Sequence, residues 1–132
     1  MKHIFIDTNI LIDYSKGYID NLKDLFQLQS QNKATLYINP LVIMEFTADQ
    51  KLSNKELENK AEKFLLFFNI LPVTAKTGFI AGQLHRTSQV EFVGDALIAA
   101  TCLEHNLELS TRNEKHFKNV VGLNLVTLPY RI

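Results

Sequence analysis

The sequence predicts an α/β sandwich built on a mostly parallel sheet. Short apolar, strand-like runs alternate with helical segments along the whole chain, and parallel neighbours need crossover connections of the kind such helices supply. The 132 residues, 46% of them hydrophobic, suit one core, because domains most often run to about 100 to 150 residues. No repeat, linker or low-complexity stretch divides the chain. A single domain over residues 1–132 is the expectation.

Taken in order, residues 3–6 read as a strand, and residues 10–16 as a helix with Gly17 as its stop. Residues 20–30 place Leu22, Leu25, Phe26 and Leu28 mainly on one side, the spacing of an amphipathic helix. A second strand follows at 34–38. Asn39 then supplies a cap and Pro40 the first position of a helix that carries LVIMEF. Ser53 with Glu56 three residues later predicts a capping box for a helix running through KAEKFLLFF. Residues 70–73 read as a third strand, Thr74 caps a helix to about Arg86, and residues 94–106 form another helix. Residues 107–110 and 123–127 complete five candidate strands.

Charge and cysteine content narrow the function classes. The 14 Lys and Arg balance the 14 Asp and Glu, so no global basic field recruits nucleic acid or an anionic membrane. A nuclease touching a few phosphates is still compatible with that balance. The apolar stretch after Lys2 is short and soon broken by Asp7, unlike a signal peptide. The longest apolar runs fall far below the roughly 20 residues that cross a bilayer. Cys102 is the single cysteine; it reads as core packing and fits a reducing cytoplasm, the expected location.

Three carboxylates stand where their surroundings are apolar. In HIFIDTNILIDY, Asp7 falls between one apolar run and the next. By itself it reads equally as a helix cap or as the first member of an acidic metal site. It follows the first strand immediately, and ligands of such sheets collect beyond the carboxyl ends of the strands. In NPLVIMEF, Glu45 lies among Leu41, Val42, Met44 and Phe46. In GDALIAATCLEH, Asp95 opens a helix that is apolar nearly all round, where the positive end of the helix dipole favours an anion. Alone, Glu45 reads as a solvated face and Asp95 as a cap; together with Asp7 they suggest one pocket. Two unit charges roughly 4 Å apart repel by about 4 kcal/mol at an effective dielectric near 20, so such a cluster calls for a cation or raised carboxyl pKa values. Oxygen-only ligands favour Mg2+ or Mn2+ over zinc. His3, His85 and His105 show no ligand spacing. A metal held in this way can activate water and stabilise a pentavalent phosphorus, which makes phosphodiester hydrolysis the natural reaction.

The strings IDTNILID, NPLVIMEF, GDALIAA and LSTRNEKHF resemble the PIN-domain ribonucleases, most closely the VapC-type toxins of bacterial toxin–antitoxin pairs. The resemblance runs from Ile4 to about Val126, and the order and spacing of four blocks make it more specific than any one of them. It implies a three-layer α/β/α fold with a five-stranded parallel sheet in the order 3-2-1-4-5, and Mg2+- or Mn2+-dependent hydrolysis of RNA leaving a 5′-phosphate. It also implies a cognate antitoxin, and a homodimer is expected. Carried over by position, Asp7, Glu45 and Asp95 match the acidic motif residues, while Thr8 and Asn9 match the polar pair after the first aspartate. The helical pair within residues 49–68, with its apolar LLFF, corresponds to the clip that an antitoxin peptide occupies.

The last block departs from the family pattern. His116 stands where a further acidic residue is common, while Thr111 and Asn113 keep the polar character of the motif. Histidine there removes a negative charge and points to one metal on Asp7 and Asp95, with Glu45 acting through water; a phosphate contact or a proton donor is the other role open to it. Arg112, Lys115 and Arg86 are candidate contacts for RNA phosphates. The competing reading is a catalytically weakened PIN-like module that binds RNA or protein, which metal binding separates from an enzyme. A response-regulator receiver needs an aspartate after the third strand, where ILPV runs into Thr74. A haloacid-dehalogenase-type phosphatase needs a second aspartate at the position of Asn9.

Overall fold

The computed structural model describes residues 1–18 and 20–126. Its sheet contains β1 (Lys2–Ile6), β2 (Ala34–Ile38), β3 (Asn69–Ile70) and β4 (Glu108–Ser110), in the order β3-β2-β1-β4. Every pairing is parallel, with Ile4 beside Leu36 and Ile6 beside Ser110. Ile4, Phe5 and Ile6 are wholly buried, as an unbroken apolar run must be when a central strand is covered on both faces. Full burial of each such side chain contributes about 1.5–3 kcal/mol. The sheet is thus a floor whose middle strand delivers Asp7 to its edge.

Among the described residues the expected fifth strand amounts to a single bridge. Leu125 pairs in parallel with Leu109, and Val126 N–H donates to the Leu109 carbonyl at 2.8 Å. That places the segment outside β4, as the order 3-2-1-4-5 requires, but β4 has only three residues on which a ladder could grow; Thr127 lies outside the described residues. β3 is also shorter than residues 70–73. Leu71 N–H still reaches the Ile38 carbonyl, but Pro72 has no N–H to continue the ladder.

The helices are α1 (Thr8–Ser15), α2 (Asp20–Ser30), α3 (Pro40–Thr47), α4 (Lys55–Leu65), α5 (Ala75–Arg86), α6 (Val93–His105) and α7 (Glu114–Phe117). α2 buries Leu22, Leu25 and Leu28 as its spacing predicts. Asn39 caps α3 through Val42 N–H and also donates to Thr101 Oγ1 on α6, tying two helices through a fully buried amide. Thr74 caps α5 in a reciprocal box with Thr77, and Thr77 Oγ1 donates to Glu104 Oε1 on α6 at 2.6 Å. The Ser53 capping box does not form. Asp49 starts a short 3-10 turn, Gln50–Ser53, which uses up Ser53, and Asn54 caps α4 instead. The LLFF string divides: Leu65 and Phe68 are buried, Leu66 and Phe67 exposed. Cys102 is buried in α6, and burial pushes its thiol well up, so it packs as an apolar group.

Candidate active site

Asp7 performs both jobs that its sequence context allows. Its N–H bonds the Ser110 carbonyl, extending the β1–β4 ladder by one step. Its extended backbone then makes it the N-cap of α1, with Oδ1 accepting from Thr8 N–H at 2.7 Å. Oδ2 accepts from Thr111 Oγ1 at 2.7 Å and from Asn9 Nδ2 at 3.1 Å. Only 4% of the residue is exposed. Burial pushes its carboxyl above the ordinary 3.8; the bonds from Thr111 and Thr8 pull it back, and the negative charges of Asp95 and Glu45 push it up again. The three candidate acids therefore share one electrostatic neighbourhood.

Glu45 enters from α3, where its Oε1 accepts from Thr8 Oγ1 at 2.7 Å. Thr8 thus serves Asp7 with its backbone and Glu45 with its hydroxyl. The start of α6 packs closely here: a β-carbon on Gly94 would lie 3.8 Å from Leu41 Cδ2 and 3.9 Å from Glu45 Oε2. Asp95 is not the cap of α6. The helix begins at Val93, Phe92 is its N-cap without a side-chain bond, and Asp95 sits in the first turn. Its Oδ2 lies 2.9 Å from His116 Nδ1 on α7, and the His116 ring packs against Phe92 at 5.1 Å between centroids.

Among the described residues, no three carboxylate, imidazole or thiol groups converge on a common point. That is compatible with the charge coupling felt by Asp7, because Glu45 is drawn to Thr8 and Asp95 to His116. The donor set nevertheless fits a hard divalent cation: three carboxylates, one of them buried and pushed up chiefly by that burial and further by the charges of the other two. His3, His85 and His105 are engaged elsewhere, with Tyr37, the Val90 carbonyl and Glu104 respectively.

The sequence matches the PIN domain family over residues 4–123. The chain belongs to the PIN-domain family. It is 30% identical over 136 residues to Ribonuclease VapC1 of Rickettsia felis, covering 95% of this chain and 96% of that one. Among solved structures it is similar to VapBC2 of Rickettsia felis bound to a DNA fragment from their promoter (26% identity, TM-score 0.76, 93% of this chain and 96% of that chain). A toxin–antitoxin complex from Klebsiella pneumoniae is also similar (27% identity, TM-score 0.71, 98% and 99%).

Around the acids of this PIN domain, Asn9 and the segment after β4 interlock. Asn9 Oδ1 accepts from Arg112 N–H at 3.1 Å, and its Nδ2 also reaches Thr111 Oγ1 at 3.3 Å. Asn113 contributes through its backbone N–H, which bonds Thr111 Oγ1 at 3.0 Å; its side chain does not cap α7. Arg112 is less free than a bare cation. Its Nε lies 2.8 Å from Asp13 Oδ2 on α1, a partner with no local sequence signal because it comes from a different element. Arg86 and Lys115 are exposed and carry no ion pair among the described residues.

A cleft of about 680 Å³ opens beside Glu45, lined by Ile12, Tyr14, Phe46, Leu52, Leu57 and Phe64 with Lys16, Lys51 and Lys60 at its margin. Its aromatic wall is continuous, with Tyr14 stacked on Phe64 at 5.4 Å and Phe46 tilted against Phe64 at 5.6 Å. No helix among the described residues is long and apolar enough to cross a membrane.

Proposed function

We propose that this PIN domain is a divalent-cation-dependent endoribonuclease acting as the toxin of a toxin–antitoxin pair, and that Asp7, Asp95 and Glu45 form its catalytic centre. The observation that carries the reading is the buried Asp7 carboxylate, held by three donors and pushed up by burial and by two neighbouring carboxylates. A structural cap has no need of the two extra charges. Asp7 and Asp95 would hold Mg2+ or Mn2+ directly, with Glu45 beside them. The cation supplies Lewis-acid activation of water and neutralises the charge that builds on phosphorus.

The protein's own contribution is orientation. Thr111, Asn9 and the Thr8 N–H aim the Asp7 carboxyl, and the Thr8 hydroxyl holds Glu45. Standing where a further acid is common, His116 adds no negative charge beside Asp95. Lys115 and Arg86, with the free edge of the Arg112 guanidinium, meet RNA phosphates. The apolar cleft with its lysine margin suits an amphipathic antitoxin peptide that has acidic residues along one side. Since the cleft includes Glu45, an occupant would reach that acid and interfere with its role.

Incubation of the purified chain with RNA tests the reading. Cleavage should require Mg2+ or Mn2+, stop in EDTA and leave 5′-phosphate ends. Cleavage that persists in EDTA and yields a cyclic phosphate would overturn the mechanism.

A further inference from the structure

Asn39 and Thr101 are polar residues with no exposure at all, and their side chains join the two helices that carry Glu45 and Asp95. A cap at the start of α3 needs one acceptor, which Ser, Thr or Asp would supply as well as Asn. Asn39 uses Oδ1 for that cap, accepting from Val42 N–H at 3.1 Å, which leaves Nδ2 to donate to Thr101 Oγ1 on α6 at 3.0 Å. Thr101 in turn donates its proton to the Leu97 carbonyl at 2.8 Å, so its oxygen is the acceptor in the bond to Asn39. The run Asn39–Thr101–Leu97 therefore has one direction only. Dehydrating an amide and a hydroxyl costs free energy where apolar side chains would fill the same space. What the polar pair adds is a fixed register, because a satisfied buried network specifies a single packing.

The register matters because of where the acids sit. Asn39 precedes Glu45 by six residues and Thr101 follows Asp95 by six, about 9 Å of helix in each case. α3 and α6 meet again beside the acids, where a β-carbon on Gly94 would lie 3.9 Å from Glu45 Oε2. The two helices thus run in opposite senses, bonded at one end of their contact and bearing carboxylates at the other. A slide or rotation at the bonded end is carried to Glu45 and Asp95 by two stiff levers of equal length. We propose that Asn39 and Thr101 are positioning residues of the acidic site, whose hydrogen bond sets the spacing of Glu45 and Asp95 and through it the affinity for the divalent cation. This rests on the cation reading above and adds two residues that lie outside the ligand set. The competing use of the pair is stability alone, which predicts a weaker fold with the spacing of the acids unchanged.

The test compares the wild type with Thr101→Val, which keeps the shape and deletes the bond, Thr101→Ser, which keeps the bond, and Asn39→Ser, which keeps a cap for α3 and loses the donor. Thr77→Val is the control: Thr77 is also wholly buried and bonds Glu104 near the far end of α6, so its loss weakens the packing of α6 without touching the Asn39–Thr101 bond. Calorimetry gives the Mn2+ affinity, and crystal structures of the metal-free proteins give the spacing of the Glu45 and Asp95 carboxylates. Thr101→Val and Asn39→Ser should weaken Mn2+ binding roughly 3- to 30-fold, the span by which residues without ligand contact alter binding, and should displace α3 against α6. Thr101→Ser and Thr77→Val should bind as the wild type does. Wild-type affinity in a folded Thr101→Val protein, or an equal loss in Thr77→Val, would overturn the proposal. If Thr101→Val does not fold, Asn39→Ser carries the same decision, and failure of both to fold would assign the pair to folding and overturn the proposal too. Absence of Mn2+ binding by the wild type sinks the cation reading by itself. The metal-free structures then decide the spacing role: displaced helices in Thr101→Val uphold it, and superimposable ones overturn it.

Discussion

Thr111→Val keeps the shape of a buried side chain and deletes its hydroxyl. That hydroxyl donates to Asp7 Oδ2 at 2.7 Å and accepts from the Asn113 N–H at 3.0 Å and from Asn9 Nδ2 at 3.3 Å, the last of which keeps its bond to Asp7 when the hydroxyl is gone. Thr111 is only 2% exposed, so water does not replace it freely at Asp7. Asn113 is exposed, and its N–H can turn to solvent, so most of the cost falls on the carboxylate. A hydrogen bond to a charged group is worth about 1.5–3 kcal/mol and a neutral one about 1 kcal/mol. Above the pH at which Asp7 releases its proton, the variant should therefore lose about 2 kcal/mol, a shift in urea midpoint of roughly 1 M. In acid, where Asp7 is protonated, the loss should fall to about 1 kcal/mol. A double-mutant cycle with Asp7→Asn should show coupling of about 1 kcal/mol or more. A loss below about 0.5 kcal/mol, or one that is the same at both pH values, would refute the claim that Thr111 acts on an ionised Asp7.

The pH profile of the metal-free protein follows from the raised Asp7 carboxyl. The folded chain holds this proton more tightly than the unfolded chain, so the group's contribution to stability is complete below 3.8 and is lost as pH rises through the folded value. Asp7→Asn should flatten that part of the urea-midpoint profile, and an unchanged slope would count against burial of the charge. At His116, the account predicts that His116→Asp needs less Mg2+ for half-maximal RNA cleavage and that His116→Ala keeps the saturated rate. A large fall in the saturated rate of His116→Ala would give the histidine a direct role in the transition state.

How much of this was legible depends on how local each signal is. Asn39 before Pro40 and Thr74 before Thr77 specify helix starts within a few residues, and both caps form. Ser53 and Asn54 offered two caps side by side, and the choice fell to the 3-10 turn started by Asp49, which a local reading of Ser53 and Glu56 does not contain. The fifth strand is represented among the described residues by the Leu109–Leu125 bridge beside the three-residue β4. The three acids were conspicuous because carboxylates in apolar runs are costly, and their electrostatic coupling through Asp7 agrees with that. Thr8 bonded to Glu45, Arg112 paired with Asp13, and Phe92 packed on His116 join residues far apart in the chain. No periodicity or cap motif carries such contacts.

The central claim is that Asp7, Glu45 and Asp95 serve one divalent cation. Calorimetric titration of Mn2+ into the wild type and into Asp7→Asn, Glu45→Gln and Asp95→Asn, each checked for an intact fold by circular dichroism, tests it most directly. The account predicts one class of site in the wild type and, for each variant, affinity weakened about tenfold or more, a loss of about 1.4 kcal/mol or greater. A folded variant that binds Mn2+ as the wild type does would remove its carboxylate from the site, and wild-type behaviour in all three would contradict the account.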